Sequence, residues 1–286
     1  MKNIFVSIGI PLYNGEKFIR NTIHSVLNQS YENFELIITD DGSTDNSIEI
    51  IKSFKDSRIK LIIDGRNEGI SFRLNQQIAL ARGKYFVRMD ADDIMFPDRL
   101  RKQIDFLEKN PETDAIGSSV VILDDDNKII GFRKAELITD YSKLFTKILF
   151  NHPTVTGKLK FFRKYLYSEE LKGVEDAELW IRSYPESIFQ IMEEPLLFYR
   201  DPVVFKLKTY LFRLDQKNKL FRQSTFLREN KKFFFKLIIQ NWIKKILAQL
   251  LSFFKMDHIM IKRRNKIITS IDPQWKIILE NITNEN

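Results

Sequence analysis

Tyr85-Phe86-Val87-Arg88-Met89-Asp90-Ala91-Asp92-Asp93 is the stretch on which the fold turns. A short apolar run stops at three carboxylates in four residues. The run reads as a buried strand, so the carboxylates stand at its carboxyl end. The same grammar recurs upstream. Phe5–Leu12 runs into Pro11-Leu12-Tyr13-Asn14-Gly15, and Phe34–Thr39 runs into Asp40-Asp41-Gly42-Ser43-Thr44-Asp45. Ile59–Ile63 is a further strand before Asn67-Glu68-Gly69.

Helical spacings fill the gaps. Phe18, Ile19, Ile23, Val26 and Leu27 share one helix face. Ser43 or Thr44 is placed to cap a helix carrying Ile48, Ile51 and Phe54. A third helix runs through Leu74, Ile78 and Leu80 and is closed by Gly83. Pro97 opens a fourth, to about Asn110. Strands alternating with helices of this length imply right-handed crossovers and a mainly parallel central sheet flanked by helices, an α/β fold. Parallel strands end on one edge, where open α/β sheets bind ligands. Tyr13-Asn14, Asp40-Asp41 and Asp90 to Asp93 should therefore converge.

The second half is more mixed. Ala115–Leu123 and Ile129–Arg133 read as a hairpin around Asp124-Asp125-Asp126-Asn127. Asn151-His152-Pro153-Thr154 reads as a loop, Val174–Arg182 as a helix with Glu175-Asp176 at its start, and Ile188–Met192 and Leu196–Tyr199 as two short strands.

Composition sets the class. Hydrophobic residues make up 43% of 286, enough for an ordinary core, and the absence of cysteine excludes disulfides, thiolate metal sites and cysteine nucleophiles. Met1 to Tyr13 enters a strand-like run without a basic region and long apolar stretch, so it does not read as a signal peptide. The net charge of +8 is uneven: residues 1–201 carry 28 Lys and Arg against 32 Asp and Glu, residues 202–286 carry 18 against 6. A polyanionic surface, lipid or nucleic acid, is the natural partner of such a tail.

Asp90, Asp92 and Asp93 are hard oxygen ligands that suit Mg²⁺ or Mn²⁺ bridging to substrate phosphates; the plainer reading is a helix-capping acidic turn. Asp40-Asp41 could bind a base or ribose, or simply close a turn. Neither Gly-x-Gly-x-x-Gly nor a P-loop follows the first strand, which argues against dinucleotide and P-loop chemistry. His24 and His258 read as structural or solvated; His152, in a loop before Pro153, is open to function.

Taken in order, Pro11-x-Tyr13-Asn14, Asp40 to Asp45, Asn67-x-Gly69, Arg73-x-Asn75, Gly83, Asp90 to Asp93, Pro97-x-Arg99-Leu100, His152-Pro153-Thr154 and Glu175-Asp176-x-x-Leu179-Trp180-x-Arg182 resemble glycosyltransferase family 2, over roughly residues 4–200. It is especially similar to bacterial enzymes building capsule, O-antigen or lipooligosaccharide chains. The resemblance implies the GT-A fold, with residues 1–110 as nucleotide-sugar half, 111–201 as acceptor half and 202–286 as a helical extension. It implies an inverting hexosyltransferase using a nucleotide diphosphate sugar, commonly a UDP-sugar. Pro11, Tyr13, Asn14 and Asp41 would hold the donor's nucleoside, Arg73 would lie near the donor, and Asp90 near the ribose. Asp92 and Asp93 would bind Mn²⁺ or Mg²⁺, His152, Glu175 and Trp180 would meet the acceptor, and Asp176 would be the general base. Gly157 to Arg163 is more basic than in relatives, and Leu171-Lys172-Gly173 replaces a commoner glycine-glycine-aromatic turn, so the acceptor half departs most from the pattern.

In the tail, Lys231–Lys255 reads as one amphipathic helix. Phe235, Ile239, Trp242, Ile246, Leu250 and Phe253 share a face; Lys236, Gln240, Lys244, Lys245, Gln249 and Ser252 lie opposite. A span is disfavoured, because each lysine near the bilayer centre costs about 2.5–3.5 kcal/mol. An interfacial helix fits better, aided by Lys262-Arg263-Arg264, with packing on the catalytic domain or a second subunit as the alternative. The expected setting is the cytoplasmic, inner face of the plasma membrane, with a glycan or lipid-linked acceptor and no nucleic acid. Two other activities are weighed. A sugar nucleotidyltransferase would want a glycine-rich basic loop that Pro11–Gly15 lacks. A non-catalytic nucleic-acid binder would want aromatic residues interleaved with the charges.

Overall fold

The computed structural model describes residues 4–201, 204–256, 259–260 and 272–283; His258 and Lys262 to Arg264 lie outside them. The first half runs β1 (Val6–Leu12), α1 (Ile19–Leu27), β2 (Phe34–Asp40), α2 (Ser47–Ser53), β3 (Ile59–Ile63), α3 (Ile70–Leu80), β4 (Tyr85–Arg88), β5 (Ile94–Met95) and α4 (Arg99–Lys109). The second half runs β6 (Ala115–Leu123), β7 (Ile129–Arg133), β8 (Thr156–Lys158), α5 (Leu159–Lys164), α6 (Glu175–Ser183) and β9 (Phe189–Arg200). Helices α7 (Leu207–Gln223), α8 (Thr225–Glu229), α9 (Lys231–Phe253) and α10 (Pro273–Thr283) follow.

Among the described residues nine strands form one sheet, ordered β3-β2-β1-β4-β8-β6-β9-β5 with β7 on β6. The β3-β2-β1-β4 block is parallel throughout, and antiparallel pairing enters with β8, which joins β4 to β6. Strands β1 and β2 are buried almost end to end, as expected of parallel strands covered on both faces. One core cluster packs Ile8, Ile10 and Leu36 against Ile23 of α1 and Leu100 and Ile104 of α4; a second packs Ile37, Phe86, Leu74 and Ile78 with Trp180 and Phe189.

Gly83 does not close α3, which ends at Leu80. A Cβ on Gly83 would stand 2.5 Å from the backbone nitrogen of Ser7, and its own N–H donates to Ser7 Oγ at 2.8 Å. It is glycine so that the chain can press against β1. The two expected short strands at Ile188–Met192 and Leu196–Tyr199 are one, β9, because the irregular register opposite Ser118 and Ser119 carries Glu193-Glu194-Pro195 within a continuous ladder.

The extension packs on the second half. Leu220, Phe221, Leu227 and Leu237 join the same cluster as Trp180, while Leu279 and Ile282 of α10 join Ile94 and Phe198. Helix α9 meets α7 through Leu237, Asn241 and Ala248, and Asn241 donates to Asn218 Oδ1 at 2.8 Å. The face expected to be solvated is thus partly a packing face: Lys245 pairs with Asp215 of α7, so its charge is not turned outward to lipid. The apolar stripe is left uncovered, with Trp242 61% and Phe253 80% exposed. No described helix is long and apolar enough to cross a membrane.

Candidate active site

The ends of β1 and β2 lie side by side, Pro11 opposite Thr39 and Leu12 opposite Asp40. The β1 loop turns at Asn14, whose φ of 49° is a left-handed conformation that asparagine tolerates. Asn14 donates its N–H to Ser43 Oγ at 2.9 Å and accepts from the Thr44 N–H at 2.8 Å. Ser43 and Thr44 therefore tie two strand-end loops together and do not cap α2. Asp45 serves that helix start, accepting from the Ser47 N–H at 3.0 Å. Tyr13 stands 56% exposed at this edge.

Asp41 is held by the next loop. Its carboxylate accepts from the backbone N–H groups of Glu68, at 2.8 Å, and Gly69, at 3.0 and 3.1 Å. Arg73 Nε donates to it at 2.9 Å, while both Arg73 terminal nitrogens donate to Asp64 at 2.8 Å. Arg73 is fully buried with its donors taken up, so it cannot reach a donor sugar; its place is behind Asp41, holding that carboxylate.

One strand over, β4 delivers the acidic turn. The Arg88 guanidinium is buried and pairs with Asp90 at 2.7 Å. Arg200, at the end of β9, donates its N–H to Asp93 Oδ1 at 2.8 Å and its Nε to the Asp92 carbonyl at 3.0 Å. Asp90, Asp92 and Asp93 each offer an oxygen within 4.8 Å of the others. Burial, and then the neighbouring Asp90 charge, pushes Asp92 up to about 7; burial and Asp92 push Asp93 well above its ordinary value. Three clustered carboxylates resist joint ionisation unless a cation joins them. Asp93 Oδ2 is buried without a partner, which leaves one ligand atom uncommitted. The donor set fits a hard divalent ion.

Below this turn a cavity of about 680 Å³ is lined by Arg88, Asp90, His152, Glu175, Asp176 and Trp180, among others. Asp90 and Asp176 thus face one space. Glu175 and Asp176 occupy the first turn of α6, where the helix dipole favours negative charge. Glu175 is buried with Oε2 unpartnered, and burial, followed by the Asp176 charge, raises its pKa. Asp176 is half-buried, its Oδ1 accepting from the Ala177 N–H at 2.7 Å. His152 Nε2 bonds Tyr167 Oη at 2.9 Å; burial, then the Arg88 charge, holds its pKa far below the usual value, so the ring is neutral. Trp180 forms a wall against Phe150, at 4.9 Å between ring centres, and its Nε1 has no partner. Unpartnered buried polar atoms on cavity residues are open to a bond from a ligand or from ordered water. Pro11, Tyr13, Asn14, Asp41 and Arg73 do not line this cavity. They lie at and beyond the ends of β1 and β2 and on α3, and β1 is the strand next to β4.

Residues 7–171 match the model of glycosyl transferase family 2. The chain belongs to that family. It is 36% identical over 244 residues to the uncharacterized glycosyltransferase MJ1057 of Methanocaldococcus jannaschii, covering 82% of this chain and 83% of that one. It is 36% identical over 144 residues to WfgD of Escherichia coli, a UDP-Glc:alpha-D-GlcNAc-diphosphoundecaprenol beta-1,3-glucosyltransferase, covering 50% and 56%. In structure it is similar to Staphylococcus aureus TarS 1–349 in complex with UDP-GlcNAc, with TM-score 0.61, 16% identity and 98% and 80% of the two chains covered. It is also similar to the mannosyltransferase PcManGT of Pyrobaculum calidifontis in complex with GDP-Man and Mn²⁺, with TM-score 0.58, 15% identity and 98% and 79% covered. At these identities the structural likeness speaks for the fold, which is GT-A. The protein is a family 2 glycosyltransferase, which sets aside the nucleotidyltransferase and the non-catalytic reading.

Some residues of this transferase site have no signal in the sequence. Arg88 sits inside a strand run, and Arg200 lies more than a hundred residues from the turn it braces. Only the sheet order shows why Arg200 reaches the acidic cluster: β9 pairs parallel with β6 and antiparallel with β5, and so ends beside the turn that follows β4.

Proposed function

We propose that this glycosyltransferase inverts configuration as it moves a sugar from a nucleotide diphosphate sugar, a UDP-sugar by preference, to a glycan or lipid-linked acceptor of a cell-surface polysaccharide. Residues 1–110 bind the donor, 111–201 bind the acceptor, and the extension from 202 lies on the inner face of the plasma membrane. The observation that carries this reading is the shared cavity: Asp90 of the acidic turn and Asp176 of α6 line the same space.

Inversion is one in-line displacement at the anomeric carbon. It needs a carboxylate to take the proton of the incoming hydroxyl, and Asp176, half-exposed in the cavity, has that position. Its neighbour Glu175, buried and with a raised pKa, is better suited to donate a hydrogen bond than to act as the base. Pro11 and Tyr13 border the nucleoside, with Asp41 held to face it by Arg73. Asp92, with Asp93 and Asp90, would hold Mn²⁺ or Mg²⁺, which when bound neutralises charge on the departing diphosphate. Arg88 keeps Asp90 in place from beneath. His152 and Trp180 shape the acceptor side.

The complexes of TarS with UDP-GlcNAc and of PcManGT with GDP-Man and Mn²⁺ support a nucleotide-sugar donor and a divalent ion. WfgD, whose acceptor is a diphosphoundecaprenol-linked sugar, supports a lipid-linked acceptor and the uncovered face of α9 as a membrane contact. The test is thermal stabilisation by a panel of UDP-, GDP- and dTDP-sugars with and without Mn²⁺. Stabilisation by one donor class that grows with Mn²⁺ is expected; no stabilisation by any of them contradicts the reading.

A further inference from the structure

The transfer step leaves a group of cations in the same cavity without a task. Arg213 and Lys217, one turn apart on α7, and Lys244 of α9 all line the cavity that holds Asp176. Arg213 lies over the turn before α6, its Cγ 3.3 Å from where a Cβ on Gly173 would stand. Among the described residues, none of the three has an ion pair or hydrogen bond. Their neighbours on the same helices are engaged: Lys245 pairs with Asp215, and Lys219 donates to the Glu170 carbonyl at 3.2 Å. Burial, then Lys244, and Arg213 after it, press the Lys217 ammonium towards its neutral form; only Asp176 pulls the other way. Three cations gathered near a single carboxylate, Asp176, leave an excess of positive charge, and an anionic ligand removes that cost.

The surroundings specify the ligand further. Phe205, Tyr210 and Leu247 line the cavity near these cations. Leu247, 40% exposed, lies on α9 beside the uncovered Ile243, Ile246 and Leu250, so the cavity wall runs into the exposed apolar face. An anion with an apolar chain satisfies both features; a free sugar satisfies neither.

We propose that Arg213, Lys217 and Lys244 form a phosphate subsite for the acceptor, which is a sugar joined through phosphate or diphosphate to an apolar chain. The proposal rests on the transferase reading above and names its acceptor chemistry. The extension thereby completes the acceptor site as well as packing on the domain. The donor's diphosphate is served separately, at the acidic turn.

The test is calorimetric titration of the full chain, in EDTA, with farnesyl diphosphate, farnesol and inorganic pyrophosphate as probes. Farnesyl diphosphate is expected to bind at least about tenfold tighter than farnesol, which lacks the charge-assisted hydrogen bonds, and than pyrophosphate, which lacks the apolar chain. Arg213→Ala with Lys244→Ala, both at exposed positions, should weaken it about tenfold or more, and Lys217→Gln should do the same with an unchanged melting temperature. UDP or GDP binding in Mn²⁺ should not move. Equal binding of farnesol, or variants that hold farnesyl diphosphate as the wild type does, overturns the proposal. So does a parallel loss of nucleotide affinity, because the cations would then serve the donor. The two readings fail separately: the donor reading falls if the wild type binds no nucleotide diphosphate, the phosphate subsite if the prenyl diphosphate comparison fails.

Discussion

Arg73 and Asp41 meet at 2.9 Å, with the arginine wholly buried, so the carboxylate at the end of β2 is fixed by a cation lodged beneath the surface. Asp41 also takes three contacts from the Glu68 and Gly69 backbone, and Asp64 takes the far end of the guanidinium. One buried side chain thus ties the end of β2 to the loop that leads into α3.

Removing that side chain should be costly. Arg73→Ala leaves Asp41 and Asp64 without their cation and should destabilise the chain by about 3 kcal/mol in urea unfolding. It should also weaken nucleotide binding, because Asp41 loses its aim. Arg73→Lys restores charge without the fork and should recover only part of either loss.

Glu35 offers a pH test away from the site. It accepts from Ser7 Oγ at 2.7 Å, from Lys60 at 2.6 Å and from the Arg82 N–H at 2.8 Å. Burial acts to raise its pKa, but these bonds outweigh it and the net shift is downward. A lowered folded-state pKa gives stability that is present above the unfolded value of about 4.3 and is lost as pH falls through the folded value. Glu35→Gln should therefore cost about 1–3 kcal/mol at pH 7 and progressively less in acid, read by urea unfolding across that range.

Asp92 should couple nucleotide to metal. With Asp92→Asn, the tightening of UDP or GDP binding by Mn²⁺ over EDTA should shrink by roughly tenfold or more, because a carboxylate ligand is replaced by a neutral one. Titration calorimetry under both conditions reads it. An undiminished Mn²⁺ effect would place the ion elsewhere.

The uncovered face of α9 predicts vesicle binding. Trp242→Ser and Phe253→Ser should each lower partition onto anionic lipid vesicles about tenfold, as expected for losing about 1.5–3 kcal/mol of apolar burial. Unfolding stability should change by about 0.5 kcal/mol or less, since both side chains face water in the free chain. Co-sedimentation that is blind to both substitutions would argue that the face meets no membrane.

The parallel half of the fold was legible because its cause is local. Continuous apolar runs such as Phe34–Thr39 can only be strands covered on both faces, and the polar residues that stop them must share an edge. The acidic turn and the Glu175-Asp176 helix start were legible for the same reason. What escaped depends on pairing between distant segments. Glu193-Glu194-Pro195 looks like a break between two strands, yet a register shift opposite Ser119 absorbs it. Arg73 reads as a donor contact until Asp41, Asp64, Gln76 and the Arg66 carbonyl are seen to take up its N–H groups. The tail's charge leaves lipid and protein packing both open until Lys245 is found on Asp215 and Lys217 beside Asp176. Amphipathic spacing correctly singled out the stripe of Trp242 and Phe253, but it could not say that the opposite, lysine-bearing face packs on α7.

In the proposed mechanism Asp176 accepts the proton of the incoming hydroxyl beside a separately held donor. The direct measurement is turnover and donor affinity on one preparation of Asp176→Asn, which keeps the shape and removes the base. If Asp176 is the base, kcat falls by about 10²–10⁴ and the nucleotide-sugar dissociation constant is unchanged. Turnover within a few-fold of the wild type would contradict it.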